Sequence, residues 1–205
     1  MTTDTLDISP KLRGRPREFD MDAALDQALR VFSERGYYAA SISELTEAMG
    51  LTAGSVYKAF GDKRGIFLAT FNRYRKVRRG LMDERLAVAP NGYEKLRELL
   101  TVYAESSSGE VGRQGCLVVG SATELALFDE EAAYRVAFAF DTDEQFLIDL
   151  IRLGQEDGSV PDRLDVESTA RTMLCLMKGM RLIGKTGRTR EQMIAVAETA
   201  MILLN

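Results

Sequence analysis

The 205-residue chain contains no histidine and two cysteines, Cys116 and Cys175, which removes zinc fingers, histidine-ligated haem and every histidine-based triad. Its 45% hydrophobic and 28% charged residues describe a globular protein, long enough to bury roughly 70% of the surface its unfolded form exposes. No run of about eighteen apolar residues and no basic-then-apolar leader occur, so the expectation is a soluble, cytoplasmic protein with no cofactor and no metal.

The formal charge of −4 is unevenly spread. Residues 1–80 hold 14 Lys/Arg against 10 Asp/Glu, and residues 81–205 hold 13 against 21. A basic first third on an acidic remainder suggests a local module for a polyanion.

Taken in chain order, residues 1–17 read as a flexible basic arm. Its segment KLRGRPR carries Lys11, Arg13, Arg15 and Arg17 and no acid. Arg13-Gly-Arg-Pro16 has the form of an arginine pair that enters a narrow minor groove. A first helix opens after Asp20, a good N-cap, buries Leu25, Ala28, Leu29 and Phe32, and closes at Gly36. Ser41-Ile-Ser-Glu44 has the capping-box form, which predicts a short helix from about Ser43 with Leu45, Ala48 and Met49 inward. Gly50 ends it, and Thr52 caps a further short helix with Val56 and Phe60 on one face. Two short helices joined by a tight glycine-containing turn make a helix-turn-helix.

Longer helices are predicted over about 63–86, 92–106, 115–128, 130–156, 165–185 and 190–203. Alternating strand patterns bounded by hairpin turns do not occur. The fold class is therefore all-α: a three-helix, homeodomain-like helix-turn-helix domain at 18–64 and a helical bundle at 65–205, about nine helices in all. Asp141, Asp143 and Glu144 interrupt the 130–156 helix as a solvated face or, less simply, as a site for a cationic ligand.

A recognition helix sets its N-terminal residues against base edges in the major groove. Thr52 to Lys58 suits that chemistry. Thr52 and Ser55 supply short hydroxyls, and Ala53 and Gly54 permit close approach. Tyr57, Lys58 and Lys63 reach phosphates, which fix register without reading sequence. Base readout then rests on Ser43, Thr52, Ser55 and Lys58, with Ala53 against a thymine methyl.

Residues 14–71 resemble the DNA-binding domain of the tetracycline-repressor (TetR) family of regulators. The likeness runs through Ala28 to Phe32, Gly36-Tyr37, Ser41-x-x-x-Leu45, Ala48-x-Gly50, Ser55-Val-Tyr-x-x-Phe60, and Lys63 to Phe67. It implies phosphate contacts at Ser41, Tyr57 and Lys63, and groove-facing positions at Ser43, Thr52, Ala53, Gly54, Ser55 and Lys58. Ala59 departs from it, since many members carry an aromatic residue or histidine there. Beyond residue 71, Gly115-Cys-Leu-Val-Val119 with Glu124-Leu-Ala, and Asp157-Gly158 before a long helix with Gly179, resemble one subgroup. These segments imply a bundle whose last two helices pair across a twofold axis.

The apolar surplus on those two helices points the same way. Met180 and Ile183 on the first, and Met193, Val196, Ala197, Ala200, Met201 and Leu204 on the second, are the expected dimer face. A pocket between helices has as candidate lining Leu99, Tyr103, Cys116, Val119 and Thr123, then Phe138, Met173 and Met177, with ordinary core packing as the simpler reading of each. Cys116 is a candidate redox sensor, against the simpler reading of a small buried hydrophobe.

The function expected is a ligand-responsive regulator, a repressor by the family's usual mode, that binds a palindromic double-stranded DNA operator as a homodimer and is released by a small-molecule effector. The alternatives are a helical protein-interaction module and an all-α enzyme, the latter lacking any convergent set of catalytic groups.

Overall fold

The computed structural model describes residues 20–127 and 129–204, so Arg13, Arg15 and Arg17 lie outside the described residues. Those residues are helical throughout, with no strand among them. Helix α1 (Met21–Ala39) starts on the Asp20 carboxylate, which accepts from the Asp22 and Ala23 N–H groups at 3.0 and 3.2 Å. Gly36 departs from helical geometry at φ +79°, but half a turn follows it. The reason is Glu124, whose carboxylate accepts the Tyr37 N–H at 2.8 Å and occupies the space a side chain at 36 would need. Glycine is the residue that tolerates that φ and that approach.

Helix α2 (Ile42–Met49) carries the expected capping box, with Ser41 itself as N-cap, so it begins one residue before the predicted start. Gly50 ends it in the left-handed conformation, and α3 (Ala53–Phe60) starts on Thr52. Helix α4 (Lys63–Ala87) is next, then α5 (Gly92–Ser106). The helix expected over 115–128 is instead α7 (Leu117–Glu124), preceded by a short α6 (Gly109–Gln114). Helix α8 (Glu130–Glu156) runs unbroken through Asp141, Asp143 and Glu144. Helix α9 (Val166–Ile183) and α10 (Arg190–Ala200) each continue into a 3₁₀ turn, Gly184–Thr186 and Met201–Leu204.

Two apolar cores organise these helices. One gathers Ala28, Phe32, Leu45, Val56, Ile66, Phe67 and Phe71 with Leu117 of α7, Leu125 directly after it and Val136 of α8. The other gathers Met82 and Leu86 of α4 with Leu96, Leu99, Leu147, Ile151, Met173, Met177 and Met193. Helices α4 and α8 therefore each place their first half in one core and their second half in the other. Their side-chain bridges fall in the same order along both helices: Arg64 to Asp129, Asn72 to Arg135 and Arg75 to Asp143. The two helices run parallel, joined by long polar side chains rather than by close backbone contact.

The helix-turn-helix is thus packed onto the bundle. Arg73 forks onto Asp26 at 2.7 and 2.6 Å and binds α1 to α4. Arg64 forks onto Asp129 at 2.5 and 2.9 Å, and Asp129 also caps α8 through the Ala132 N–H. Those hydrogen bonds, Arg64 first, hold the Asp129 carboxyl down at about 2, against an ordinary 3.8.

A folded-state value below the unfolded one stabilises the fold fully above about pH 4, and that contribution is lost as pH falls toward 2. Asp129→Ala should therefore cost about 1–2 kcal/mol at neutral pH, chiefly from the lost cap. The difference from the parent protein should shrink below pH 4, which denaturant unfolding across a pH series measures. A difference independent of pH down to 2 would contradict this account.

Candidate nucleic-acid interface and bundle cavity

The residues expected at DNA share one surface around α2 and α3. Ser41, Ser43, Thr52, Ala53, Gly54, Tyr57 and Lys58 are exposed there, and Ser55 is half-buried. Tyr57 is 53% exposed, and nothing lies within 4 Å of where a Gly54 side chain would begin. Several hydroxyls already serve the fold. Ser41 Oγ accepts the Glu44 N–H at 3.1 Å and donates to the Glu44 carboxylate at 2.9 Å. Thr52 Oγ1 accepts the Ser55 N–H at 3.2 Å and sits 2.9 Å from Ser55 Oγ. A hydroxyl has one donor and two acceptor sites, so one of Thr52 and Ser55 keeps a free donor, whereas Ser41 must turn its O–H away from Glu44 to bind a phosphate.

Lys63 has a role the sequence did not reveal. Its ammonium donates to the Ala40 carbonyl at 2.9 Å and the Tyr38 carbonyl at 3.3 Å, and stands 4.6 Å from the centre of the Tyr37 ring. It closes the end of α1, where carbonyls lack helical partners. With three donors on an ammonium, one remains for a phosphate.

Behind this surface, between α4, α5, α8 and α9, lies a cavity of about 110 Å³. Of the expected lining, Leu99, Tyr103 and Met177 border it. The other five are placed elsewhere. Met173 is wholly buried in the core, and Phe138 is 60% exposed in a separate open cleft between α4 and α8, beside Phe71, Asn72 and Arg75. Thr123 is exposed and bonds back to the Gly120 carbonyl. Val119 is half-buried on α7, and Cys116 borders a separate small pocket beside Gly36. Helical spacing gives a face, not the neighbour that face meets.

Of the remaining lining, Arg75, Arg78, Arg79 and Met82 from α4 and Thr142 and Phe146 from α8 carry no local sequence signal, whereas Asp143, one of the three acids read as a possible site for a cationic ligand, is paired with the chain's own cations. Asp143 accepts from Arg75 Nη1 at 2.7 Å and also from Lys178. Lys178 is 3.3 Å from the Tyr103 hydroxyl. Burial pushes the Lys178 ammonium down, but Tyr103 and Asp143 outweigh it and its pKa is raised. Burial raises Tyr103, so its phenol stays protonated.

One turn beyond, Arg181 is 3% exposed. It donates to the Gly115 carbonyl, while its Nε and Nη1 have no hydrogen-bond partner among the described residues. The Tyr74 hydroxyl donates to Cys116 Sγ at 3.4 Å. Burial pushes the Cys116 thiol up, but Arg181 and the Tyr74 bond prevail and its pKa is lowered. Among the described residues no cluster of metal-ligating side chains occurs, and no helix is long and apolar enough to cross a membrane.

The expected dimer face needs correction. Met180, Met193, Ala197, Ala200, Met201 and Leu204 are buried in the subunit's own core. Only Ile183 and Val196 of that set are exposed, at 48% and 39%. They border a shallow apolar groove with Cys175, Leu176 and Gly179. Helix α10 packs its main apolar face on α5, a contact no spacing argument could supply.

Comparison with known proteins agrees with this geometry. Residues 24–70 match the family described as bacterial regulatory proteins, tetR family, and residues 92–200 match the tetracyclin repressor-like C-terminal domain. The HTH-type transcriptional repressor ComR of Escherichia coli (strain K12) is 29% identical over 204 residues, covering 99% of this chain and 97% of the relative. The repressor BdcR of the same organism is 29% identical over 193 residues, covering 93% and 91%. A cysteine-substituted form of the TetR family regulator CifR, solved with 26-base-pair operator DNA, superposes with a TM-score of 0.84. It is 31% identical, and the match covers 94% of this chain and all of that one. The chain therefore belongs to the tetR family of bacterial regulatory proteins and is a DNA-binding transcriptional regulator.

Proposed function

We propose that two copies of this chain bind a twofold-symmetric double-stranded DNA operator, and that a small molecule in the bundle cavity releases them. Residues 18–64 act as the reader and residues 65–205 as the sensor and dimerisation bundle, in the bacterial cytoplasm. Repression is the mode supported by the printed names of ComR and BdcR.

One observation carries the reading. Helix α4 is continuous from Lys63, next to the recognition helix, to Arg75, Arg78, Arg79 and Met82 on the cavity wall. A ligand that favours one position of α4 then favours one position of α3. Two conformers that differ in DNA affinity suffice for control. Base contact falls to α3, with Thr52, Ala53, Gly54, Ser55 and Lys58 in the groove and Ser43 beside them. Ser41, Tyr57 and Lys63 hold phosphates, and Arg13, Arg15 and Arg17 of the arm enter the minor groove. The dimer forms over the exposed strip of Cys175, Gly179, Ile183 and Val196.

Selection from random DNA should return an inverted repeat with half-sites roughly 34–36 Å apart, or a multiple of that. Failure to enrich any symmetric site would overturn the reading. Lys58→Ala should cost about 1–3 kcal/mol on the operator and relax selection at the base pair it meets, as loss of a base contact does; equal weakening on all sequences would place Lys58 on a phosphate instead.

Ile183→Asp with Val196→Asp should produce folded monomers by sedimentation, because two exposed apolar residues become charged without disturbing the core. Persistence of a dimer would exclude that strip.

A further inference from the structure

From the charges around the bundle cavity we infer that it takes a small carboxylate with a compact apolar body. This rests on reading the cavity as the effector site, and adds the chemical class of the effector.

Three guanidinium groups, Arg75, Arg78 and Arg79, border the cavity, against one carboxylate, Asp143. Arg79 is neutralised outside by Asp83 at 2.8 Å. Asp143 is claimed twice, by Arg75 and by Lys178. Arg78 has a neutral partner for its charge: its Nη1 donates to Ser106 Oγ at 2.8 Å, and its guanidinium faces the Tyr103 ring at 5.9 Å. Among the described residues it forms no ion pair. The cavity wall therefore carries more cationic than anionic charge in a half-buried setting. Such an excess is costly, and a bound anion relieves it.

The geometry selects among anions. Arg75 and Arg78 sit three apart on α4, on one face, and present planar forks suited to a carboxylate. The other wall is apolar: Met82, Leu99, Phe146 and Met177. A space of about 110 Å³ is somewhat smaller than the ~150 Å³ apolar cavity known to hold benzene. That leaves room for an apolar body of about four or five non-hydrogen atoms, with the carboxylate at the arginine side, and disfavours bulky polyanions. A cation would meet Arg78 and Lys178 and be repelled. On binding, the carboxylate takes Arg75 and Arg78 together, and Asp143 retains Lys178. The ligand then draws on α4, the helix that reaches the recognition helix.

The test uses the full-length protein with pivalate and isovalerate, the isosteric neutral pivalamide and isovaleramide, and the cation isobutylamine. Thermal shift and calorimetry should register the carboxylates, by the stabilisation that follows from selective binding to the folded state, and neither the amides nor isobutylamine. Arg78→Met should weaken carboxylate binding at least about tenfold, as loss of one charge-assisted hydrogen bond implies. Arg78→Lys should recover part of it. Without ligand, Arg78→Met should unfold at the same or a higher temperature, because an unneutralised charge has gone; this readout also establishes that the variant folds.

No shift from either carboxylate, equal shifts from acids and amides, or undiminished binding by Arg78→Met would each overturn the inference. Mobility shift separates it from the effector reading. Carboxylate that binds yet leaves the operator complex intact overturns the effector reading of the cavity, with the anion site standing. Release by the amides and not by the acids overturns the anion inference, with the effector reading standing.

Discussion

Asp143 holds together the level of the molecule at which the two apolar cores meet. By accepting from Arg75 on α4 and Lys178 on α9, it joins three helices where none is held by apolar packing alone. Hydrophobic attraction is non-directional and would close such a seam. A carboxylate clamped by two cations instead fixes a separation, because hydrogen-bond length and direction are specific. The cavity exists because α4 and α8 are spanned by long polar side chains over this stretch. A half-buried ion pair of this kind adds little net stability against an apolar replacement, whereas removing one partner leaves the other charge uncompensated. Its value here lies in geometry.

The consequence for control is that reader and sensor share one packing unit. Phe67 and Phe71 of α4 are packed with Leu117 of α7 and Leu125 directly after it in the same core as Val56 of α3. Glu124 reaches from α7 to the Tyr37 N–H, and Arg64 reaches from α4 to the cap of α8. Close-packed interiors respond to displacement by switching between arrangements rather than deforming smoothly. Such links between the helix-turn-helix and the bundle make a concerted shift the natural response to a ligand. The recognition helix takes part through Val56 on its inner face, and its outer surface stays available.

Much of this fold is legible in the sequence where the signal is local. Helices α5 and α8 are bounded by side-chain caps at Asn91 and Asp129 and by loop residues beyond, so their expected limits match the structure. The capping box at Ser41 and Glu44, and the cap at Thr52, locate the turn between α2 and α3. Where structure depends on distant partners the sequence is silent. Helix α6 is glycine-rich and six residues long, and it is tied by the Gly109 N–H to the Arg188 carbonyl at 3.1 Å. Arg75, Arg78 and Arg79 read as part of a basic first third. Nothing near them distinguishes a buried arginine from a DNA contact, and the partner of Arg75 is 68 residues away. Cys116 has no local feature to lower its pKa; the cation that does so, Arg181, arrives from α9. Periodicity likewise counts apolar faces without saying which neighbour each one meets, so Met180, Met193, Ala197, Ala200, Met201 and Leu204, expected at a dimer face, pack inside the subunit.

Lys63 shows how a single side chain can confuse the interpretation of genetics. Its ammonium closes α1 through two backbone carbonyls while standing at the edge of the DNA-facing surface. A loss-of-function allele at this position would remove a helix cap and, on the proposed reading, a phosphate donor together. Sequence invariance there across relatives would report helix closure as readily as operator contact. Arginine would not be an equivalent replacement, because its planar fork does not sit over a pair of carbonyls and an aromatic ring as a compact ammonium does. Specificity maps for this regulator are better drawn from Lys58, for which the structure records no second duty.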